Sequence, residues 1–175
     1  MKLLIASLVI FLVLLTNVFA KDVILVISST GESFKDKVMF SPEVAFLWNF
    51  QRGVEELYRF VKFTTVMRVG YSLELGERRI GEMEVLVSKN KTEFVPTIEN
   101  DYELELNKIE VDLGSKDVLS NIITPIDVRK NVTERLNYDK DVLNIISTNV
   151  TEPVKAYFTN AIKKTSSCID FINSL

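Results

Sequence analysis

Apolar residues recur at steps of three and four along most of the chain, which is the spacing of helices with one apolar face. The first such stretch begins at Ser41, where a capping hydroxyl is followed by Pro42 and Glu43. Its apolar positions are Val44, Leu47, Trp48, Phe50, Val54, Leu57, Tyr58 and Val61. This pattern predicts a long first helix whose broad apolar face packs on the rest of the protein.

A second helix is predicted after a short break, with Thr64 or Thr65 as its N-cap. Its apolar positions alternate three and four residues apart, the spacing of a helix that packs nearly parallel to a neighbour. They are Val66, Val69, Leu73, Gly76, Ile80, Met83 and Val87. Because the break is so short, we expect the first two helices to form an antiparallel hairpin.

The second helix contains three glycines, Gly70, Gly76 and Gly81. Each costs about 1 kcal/mol relative to alanine inside a helix. Close approach of another helix would offset this cost, with the bulky side chains of the first helix opposite: Trp48, Phe50, Tyr58 and Phe60. A hinge at these glycines is the alternative.

Three more helices are predicted after the hairpin. One runs from about Pro96 to Leu113 and ends at Gly114, with an acidic side that is expected to be solvated: Glu99, Asp101, Glu103, Glu105, Glu110 and Asp112. The next begins at Thr124-Pro125 and carries Val128, Val132, Leu136, Leu143 and Ile146. The last begins at Thr151-Glu152-Pro153 and carries Val154, Phe158, Ala161, Thr165, Cys168 and Ile172.

The predicted fold class is therefore all-α, an antiparallel helical hairpin extended to a bundle of about five helices and preceded by an extended arm. The arm covers residues 21–40, and the helical domain covers residues 41–175. Within the arm, the apolar run from Val23 to Ile27 has no second strand to pair with, so an arm lying in a groove is preferred over a sheet.

Residues 1–20 have the features of a secretory signal peptide. Lys2 is followed by an apolar run from Leu3 to Phe19, and the segment ends at Val18-Phe19-Ala20 with residues suited to signal peptidase. An uncleaved membrane anchor is the alternative, since the run is near the short limit for a spanning helix. Either interpretation predicts an exported, extracytoplasmic protein that is secreted or held at the cell surface.

Composition narrows the possible chemistry. The 175 residues contain no histidine, which excludes histidine-based catalytic triads and His-ligated zinc. A net charge of −3 argues against a nucleic-acid partner. No calcium-binding loop motif and no phosphate-cradling glycine loop occurs, so no catalytic residue, cofactor or metal site is predicted. The single cysteine, Cys168, falls on a buried stripe and is expected to be inert.

The first two helices resemble a known family. The succession of Phe40-Ser41-Pro42, Phe63-Thr64-Thr65 and Leu73-Glu74-Leu75-Gly76-Glu77-Arg78-Arg79-Ile80-Gly81-Glu82-Met83 is similar to a family of exported helical domains from archaea and small-genome bacteria, named as a domain of unknown function. The likeness extends over about residues 38–172, and includes Val154-Lys155-Ala156 in the final hairpin. It implies a fold and an exported location but no activity. Gly76 and Gly81 depart from the alanine usual in the family.

Within this motif, Arg78 and Arg79 are the residues expected to stabilise the fold through ion pairs. Within the helix they can pair with Glu74, Glu77 or Glu82, at a few tenths of a kcal/mol each. A partly buried arginine that reaches Glu55 or Glu56 on the first helix would matter more. These seven residues are the predicted structural ion pairs.

Three N-glycosylation sequons begin at Asn90, Asn131 and Asn149. Asn90 and Asn149 fall in predicted connections between helices, where a glycan could be tolerated. Such short motifs are a weak signal, because a chain rich in Asn, Ser and Thr contains them by chance.

The sequence leaves three functions open. The first is a non-enzymatic module that binds an unknown protein partner or the cell envelope, through the arm and the aromatic-rich first helix. The second is a periplasmic helical-hairpin chaperone or stress sensor, which an exposed apolar patch would favour. The third and weakest is an enzyme that uses Glu55 with Glu74 or Glu77, which would need carboxylates converging in a pocket. Contact with a membrane is expected only through an uncleaved N-terminal segment.

Overall fold

The computed structural model describes residues 33–39, 43, 45–62, 64–115 and 126–175. These ranges contain five α-helices: α1 (Ala45–Phe60), α2 (Thr65–Ser88), α3 (Val95–Gly114), α4 (Ile126–Thr148) and α5 (Val154–Ser174). Single 3₁₀ turns occupy Lys35–Lys37 and Thr92–Phe94, and none of the described residues forms a strand. The predicted all-α bundle of about five helices is confirmed.

The common core is formed by α2, α3, α4 and α5. α2 packs against α3 and α4, and α5 covers the other side of α3 and α4. The predicted seam of α2 is buried from Val69 to Met83, whereas Val66 at its start is largely exposed. The apolar sides predicted for the last three helices also face this core, with Val128 and Val154 only partly buried.

α1 lies on this core with most of its predicted apolar face turned towards solvent. Leu47, Phe50, Leu57 and Val61 were expected to be buried, but they are between 37% and 57% exposed. Trp48 does pack partly against the core. Val54 and Tyr58 are also half-buried, and the Tyr58 ring meets Tyr71 of α2. The predicted buried face is therefore wrong for the four exposed residues, because the polar side of α1 has stronger partners on the body.

α1 and α2 are nevertheless antiparallel, as predicted. Arg59 near the end of α1 bonds to Ser72 early in α2, while Arg52 reaches Glu82 a further three turns along α2. The connection is short, and the Thr64 side chain caps α2 by accepting a backbone N–H hydrogen bond of 3.2 Å. The two helices of this hairpin are joined by long polar side chains.

Close packing explains two of the glycines in α2, although the neighbours differ from those expected. A Cβ on Gly76 would lie 3.3 Å from the ring of Tyr102 on α3. A Cβ on Gly81 would collide with the backbone carbonyl of Phe34 and lie 3.1 Å from Val38. The contacts come from α3 and the N-terminal arm, not from the aromatic residues of α1.

The described part of the arm, residues 33–39, is fixed to α2. Phe34 is buried in the core, and its ring meets Tyr138 edge-on at 5.4 Å between centroids. The Ser33 hydroxyl donates to the Glu84 carboxylate at 2.8 Å. This part of the arm includes a 3₁₀ turn and is not wholly extended. The predicted signal segment 1–20 and the apolar run 23–27 lie outside the described residues.

Candidate functional site

The inward side of α1 is polar and meets charged residues of α2 and α3. Gln51 and Glu55 are buried on this side, and Arg52 and Arg59 are largely shielded from solvent. These positions are three or four residues apart, so they share one face of the helix. α1 is thus attached to the body through hydrogen bonds and ion pairs.

Glu55 is the centre of this attachment. Its Oε1 accepts hydrogen bonds from Gln51 Nε2 at 2.6 Å and from Arg78 Nη1 at 2.8 Å. Its Oε2 forms an ion pair with Arg79, whose side chain is only 1% exposed. Both carboxylate oxygens are therefore occupied, and the adjacent Arg78 and Arg79 converge on one glutamate of the preceding helix.

The same network continues onto α3. Arg79 Nη1 donates to Glu82 Oε1 at 2.6 Å, and Arg52 bridges Glu82 at 3.4 Å and Asp101 at 2.5 Å. The Arg52 guanidinium also lies over the Trp48 ring, 4.6 Å from its centroid. We call these residues the α1 charge network: Gln51, Arg52, Glu55, Arg78, Arg79, Glu82 and Asp101.

Burial raises the pKa values of the acids in this network, and the positively charged neighbours lower them. Desolvation raises the pKa of Glu55 above its ordinary value, and the hydrogen bond from Gln51 and the charges of Arg52 and Arg78 lower it. Desolvation likewise raises the pKa of Glu82 to about 7 and raises the pKa of Asp101, with Arg52 opposing both shifts. The guanidinium groups compensate the buried carboxylates.

A second contact lies nearer the C-terminal end of α1. Arg59 Nη1 donates to Ser72 Oγ at 2.8 Å, and Arg59 Nη2 pairs with Glu105 of α3. Lys108 then bridges Glu105 at 3.0 Å and Glu56 at 3.2 Å. The prediction that the acidic side of α3 is solvated is therefore wrong at Glu105, which is buried because Arg59 neutralises it.

Glu99 is also buried on that acidic side. Desolvation and, after it, the neighbouring Glu103 together raise the pKa of the Glu99 carboxyl to about 7. Since Glu103 is four residues along the same helix, the two acids repel each other whenever both are ionised. Glu99 therefore gives the protein a titratable group near neutral pH.

A separate cluster lies between the arm, α2 and α4. Glu77 pairs with Lys37 and with Arg135, whose Nε lies 2.8 Å from Glu77 Oε1. Next to them Asp139 is completely buried, and desolvation together with the charge of Glu77 raises its pKa well above the ordinary value, with Arg135 and Lys37 opposing. Asp139 Oδ1 has no hydrogen-bond partner in the structure. Burial and the neighbouring Glu77 carboxylate therefore favour the protonated form of Asp139.

The predicted ion-pair residues therefore divide among several contacts. Glu55 and Glu82 hold the two arginines, while Glu74 lies 3.5 Å from Arg78 and is partly exposed. Glu77 faces away, towards the arm and α4. Glu56 binds Lys108 on the surface and does not contact either arginine. Of the two carboxylate pairs considered for an enzyme, Glu55 and Glu77 lie in separate clusters, whereas Glu55 and Glu74 both contact Arg78.

The opposite, outward side of α1 carries a line of large apolar side chains. Phe46, Phe50, Leu57 and Phe60 are 80%, 48%, 57% and 84% exposed, with Gly53 at the middle of the line. We call these five positions the α1 stripe. The three phenylalanines alone expose roughly 300 Å² or more, given the size of an aromatic side chain. Such an area is at the size where exposed apolar patches mark interaction sites.

The three sequons differ in setting. Asn90 is exposed in the turn after α2 and has φ of 57°, a left-handed conformation that asparagine tolerates. Asn149 is exposed in the turn after α4, and its Nδ2 donates to the Ile145 carbonyl at 2.9 Å. Asn131 is half-buried inside α4. The expectation that Asn90 and Asn149 lie in connections agrees with the structure.

Two kinds of site are absent from the described ranges. No set of three or more Cys, Asp or Glu side chains there is arranged to hold a metal ion. No helix in the same ranges combines the length and apolarity needed to cross a bilayer. Comparison of the chain with protein-family models, with curated proteins and with solved structures found no match.

Most partners in the α1 charge network were not predicted from the sequence. The sequence also did not predict that the α1 stripe faces solvent. Arg52, Arg59 and Asp101 were not singled out, although Arg52 and Arg59 share a helical face with Glu55. The spacing of the apolar residues from Phe46 to Phe60 also places them on one side of a helix. A pattern with one apolar and one charged side shows that a helix is amphipathic, but not which side faces the body.

Proposed function

We propose that this protein is an exported, non-enzymatic helical module that binds a protein partner through the α1 stripe. The observation that carries the proposal is the outward position of Phe46, Phe50, Leu57 and Phe60. Burying apolar surface contributes about 25 cal/mol per Å², so leaving this stripe in water forgoes stabilisation that a partner could supply. Export is proposed from the N-terminal segment, and membership of the resembled family from the motif spanning Leu73 to Met83.

The α1 charge network supports this proposal by explaining how the stripe is held outward. Glu55, Arg78 and Arg79 fix the inner side of α1 at its centre, and Arg59 fixes it near the C-terminal end. Rotating α1 to bury the stripe would leave these buried charges without partners, which is strongly unfavourable. A rigid helix that presents aromatic side chains is a common form of protein-binding surface.

A chaperone for unfolded proteins is the alternative. Val66 and Met67 at the start of α2 are also partly exposed, 39% and 51%, and a methionine can adapt its shape to different ligands. A chaperone would contact many clients with the same residues. A dedicated module would contact one protein in a fixed geometry.

The two functions can be separated by photo-crosslinking in the natural envelope. A photoreactive phenylalanine analogue is placed at Phe60 in the full chain, which is expressed in its own cells, irradiated and recovered. One crosslinked product of discrete mass supports the module. A smear of many partners supports the chaperone and contradicts the module.

A matched control places the same analogue at Tyr157, a half-buried aromatic residue on α5, far along the chain from α1. This position should give no product of discrete mass. If Phe60 and Tyr157 both give only background, α1 does not contact a partner and the proposal is overturned.

A further inference from the structure

We infer that the partner of the α1 stripe is a second copy of this chain, bound by an antiparallel pairing of the two α1 helices across a twofold axis at Gly53. The inference rests on the proposed function, because it names the partner of the same surface. Its support comes from the symmetry of the stripe, the position of the glycine, the charges at the helix ends and the area available.

The stripe has nearly the same pattern when read from either end. Phe46 and Phe60 lie seven residues before and after Gly53, and Phe50 and Leu57 lie three before and four after. These steps keep all five positions on one side of a helix. A twofold interface joins the same patch on both subunits, so a patch with this symmetry can match itself. In the antiparallel pair, Phe46 of one copy lies beside Phe60 of the other.

Gly53 occupies the position where the two helices would cross. It is exposed at the centre of α1, and a Cβ built on it would have nothing within 4 Å. Within the monomer, therefore, no neighbour requires a glycine here, although glycine weakens a helix by about 1 kcal/mol relative to alanine. Close contact between two helix backbones is a physical reason for a residue without a side chain.

The charges at the ends of α1 also favour the antiparallel arrangement. Glu43 lies just before the helix and Lys62 just after it, so antiparallel pairing brings Glu43 of one copy towards Lys62 of the other. Within the monomer Glu43 has an ion pair of 3.5 Å with Lys89, and Lys62 Nζ lies 4.3 Å from the centroid of the Tyr58 ring. Both contacts are near the surface and weak, so pairing across the axis would exchange them. Antiparallel helices also align their dipoles favourably.

The area sets the expected strength of the dimer. Two stripes facing each other would bury on the order of 1,000 Å² in total, slightly below the range of standard stable interfaces. A dissociation constant in the micromolar range is therefore expected.

Cysteine crosslinking tests the geometry directly. Gly53→Cys is made in the full chain, expressed in its own cells, and the envelope is treated with a mild oxidant. A disulfide-linked dimer is expected, since the axis brings the two copies of position 53 together. The parent chain serves as the control and should give no dimer, because Cys168 is buried.

The orientation is tested with Phe46→Cys and Phe60→Cys carried by two differently tagged copies. The two variants should crosslink to each other when they are co-expressed, and each should crosslink poorly when it is expressed alone. Efficient pairing of Phe46→Cys with itself would indicate parallel helices and overturn the inference.

Sedimentation of the purified full chain tests the stripe without cysteines. Leu57→Glu should weaken the dimer about tenfold or more, whereas Val111→Glu, at an exposed apolar position on α3, should leave it unchanged. A monomer at every concentration, or a discrete photo-crosslink from Phe60 to a different protein, would overturn the inference. The second result would leave the proposed function standing, while background crosslinking alone would remove both.

Discussion

Arg79 and Glu55 form an ion pair in which both side chains are almost completely buried, 1% and 5% exposed, although they are on different helices. A charge in such a position is costly unless its partner is present. Glu55 also neutralises Arg78, so one carboxylate serves two guanidinium groups at the contact between α1 and α2. This contact decides which side of α1 faces solvent.

Removing the charge of Glu55 should therefore destabilise the protein strongly. Glu55→Gln removes the carboxylate that Arg78 and Arg79 share and leaves Arg78 with the more distant Glu74 and Arg79 with Glu82. We expect the free energy of unfolding to fall by about 3 kcal/mol, the lower end of the cost of breaking a buried ion pair. Urea denaturation followed by circular dichroism measures this change. Glu56→Gln is the matched control, because the Glu56 side chain is 64% exposed and its loss should matter by less than about 0.5 kcal/mol. Equal effects of the two variants would contradict the assigned role of Glu55.

The stability of the protein should depend on pH through Glu99. Its folded-state pKa is raised to about 7 from an ordinary value of 4.5, so the folded state holds this proton more tightly than the unfolded state does. The stabilisation of the folded state by protonated Glu99 is therefore fully present below about pH 4.5 and is lost as the pH rises to about 7. Glu99→Gln, which resembles the protonated acid, should flatten this part of the stability curve.

Thermal unfolding of the parent and the Glu99→Gln variant between pH 4.5 and pH 8 measures the difference. Glu103→Gln should give a smaller change in the same direction, since the influence of Glu103 on the pKa of Glu99 is smaller than that of desolvation. Parallel curves for the parent and Glu99→Gln would show that Glu99 does not titrate in this range.

Two glycine-to-alanine substitutions should have opposite effects. Gly81→Ala places a Cβ against the Phe34 backbone, so residues 33–39 must move, and we expect a loss of about 1–3 kcal/mol. Gly53→Ala meets open space and should stabilise α1 by about 1 kcal/mol. Denaturation at protein concentrations low enough to keep the chain monomeric measures both changes in the free energy of unfolding. A neutral Gly81→Ala would mean that the arm does not contact α2 closely.

Cys168 should resist thiol reagents while the protein is folded. Burial raises the pKa of its thiol to about 12, and thiol reagents react with the thiolate. We expect labelling by a maleimide to be slow in buffer and fast in denaturant. Ser174→Cys, at the exposed end of α5, should label quickly in both conditions. Rapid labelling of the folded parent chain would mean that α5 separates readily from the core.

Several features of the fold followed from sequence pattern alone. The spacing of Phe158, Ala161, Thr165 and Cys168 predicted the buried side of α5, and the same reasoning was correct for α3 and α4. Thr64 was correctly expected near the start of α2. These predictions succeeded because helix period, caps and breaks are local properties that neighbouring residues encode directly.

The sequence by itself thus determined the helices, their order and the core-facing sides of α3, α4 and α5. It also contained both sides of α1, with apolar residues on one and Glu55 and Arg59 on the other. Only the tertiary structure decided that the charged side faces inward, because that choice depends on partners distant in sequence: Arg78 and Arg79 on α2, and Asp101 and Glu105 on α3. Burial is favourable for a charged side only when opposite charges are already in place, and no local pattern reports where they lie.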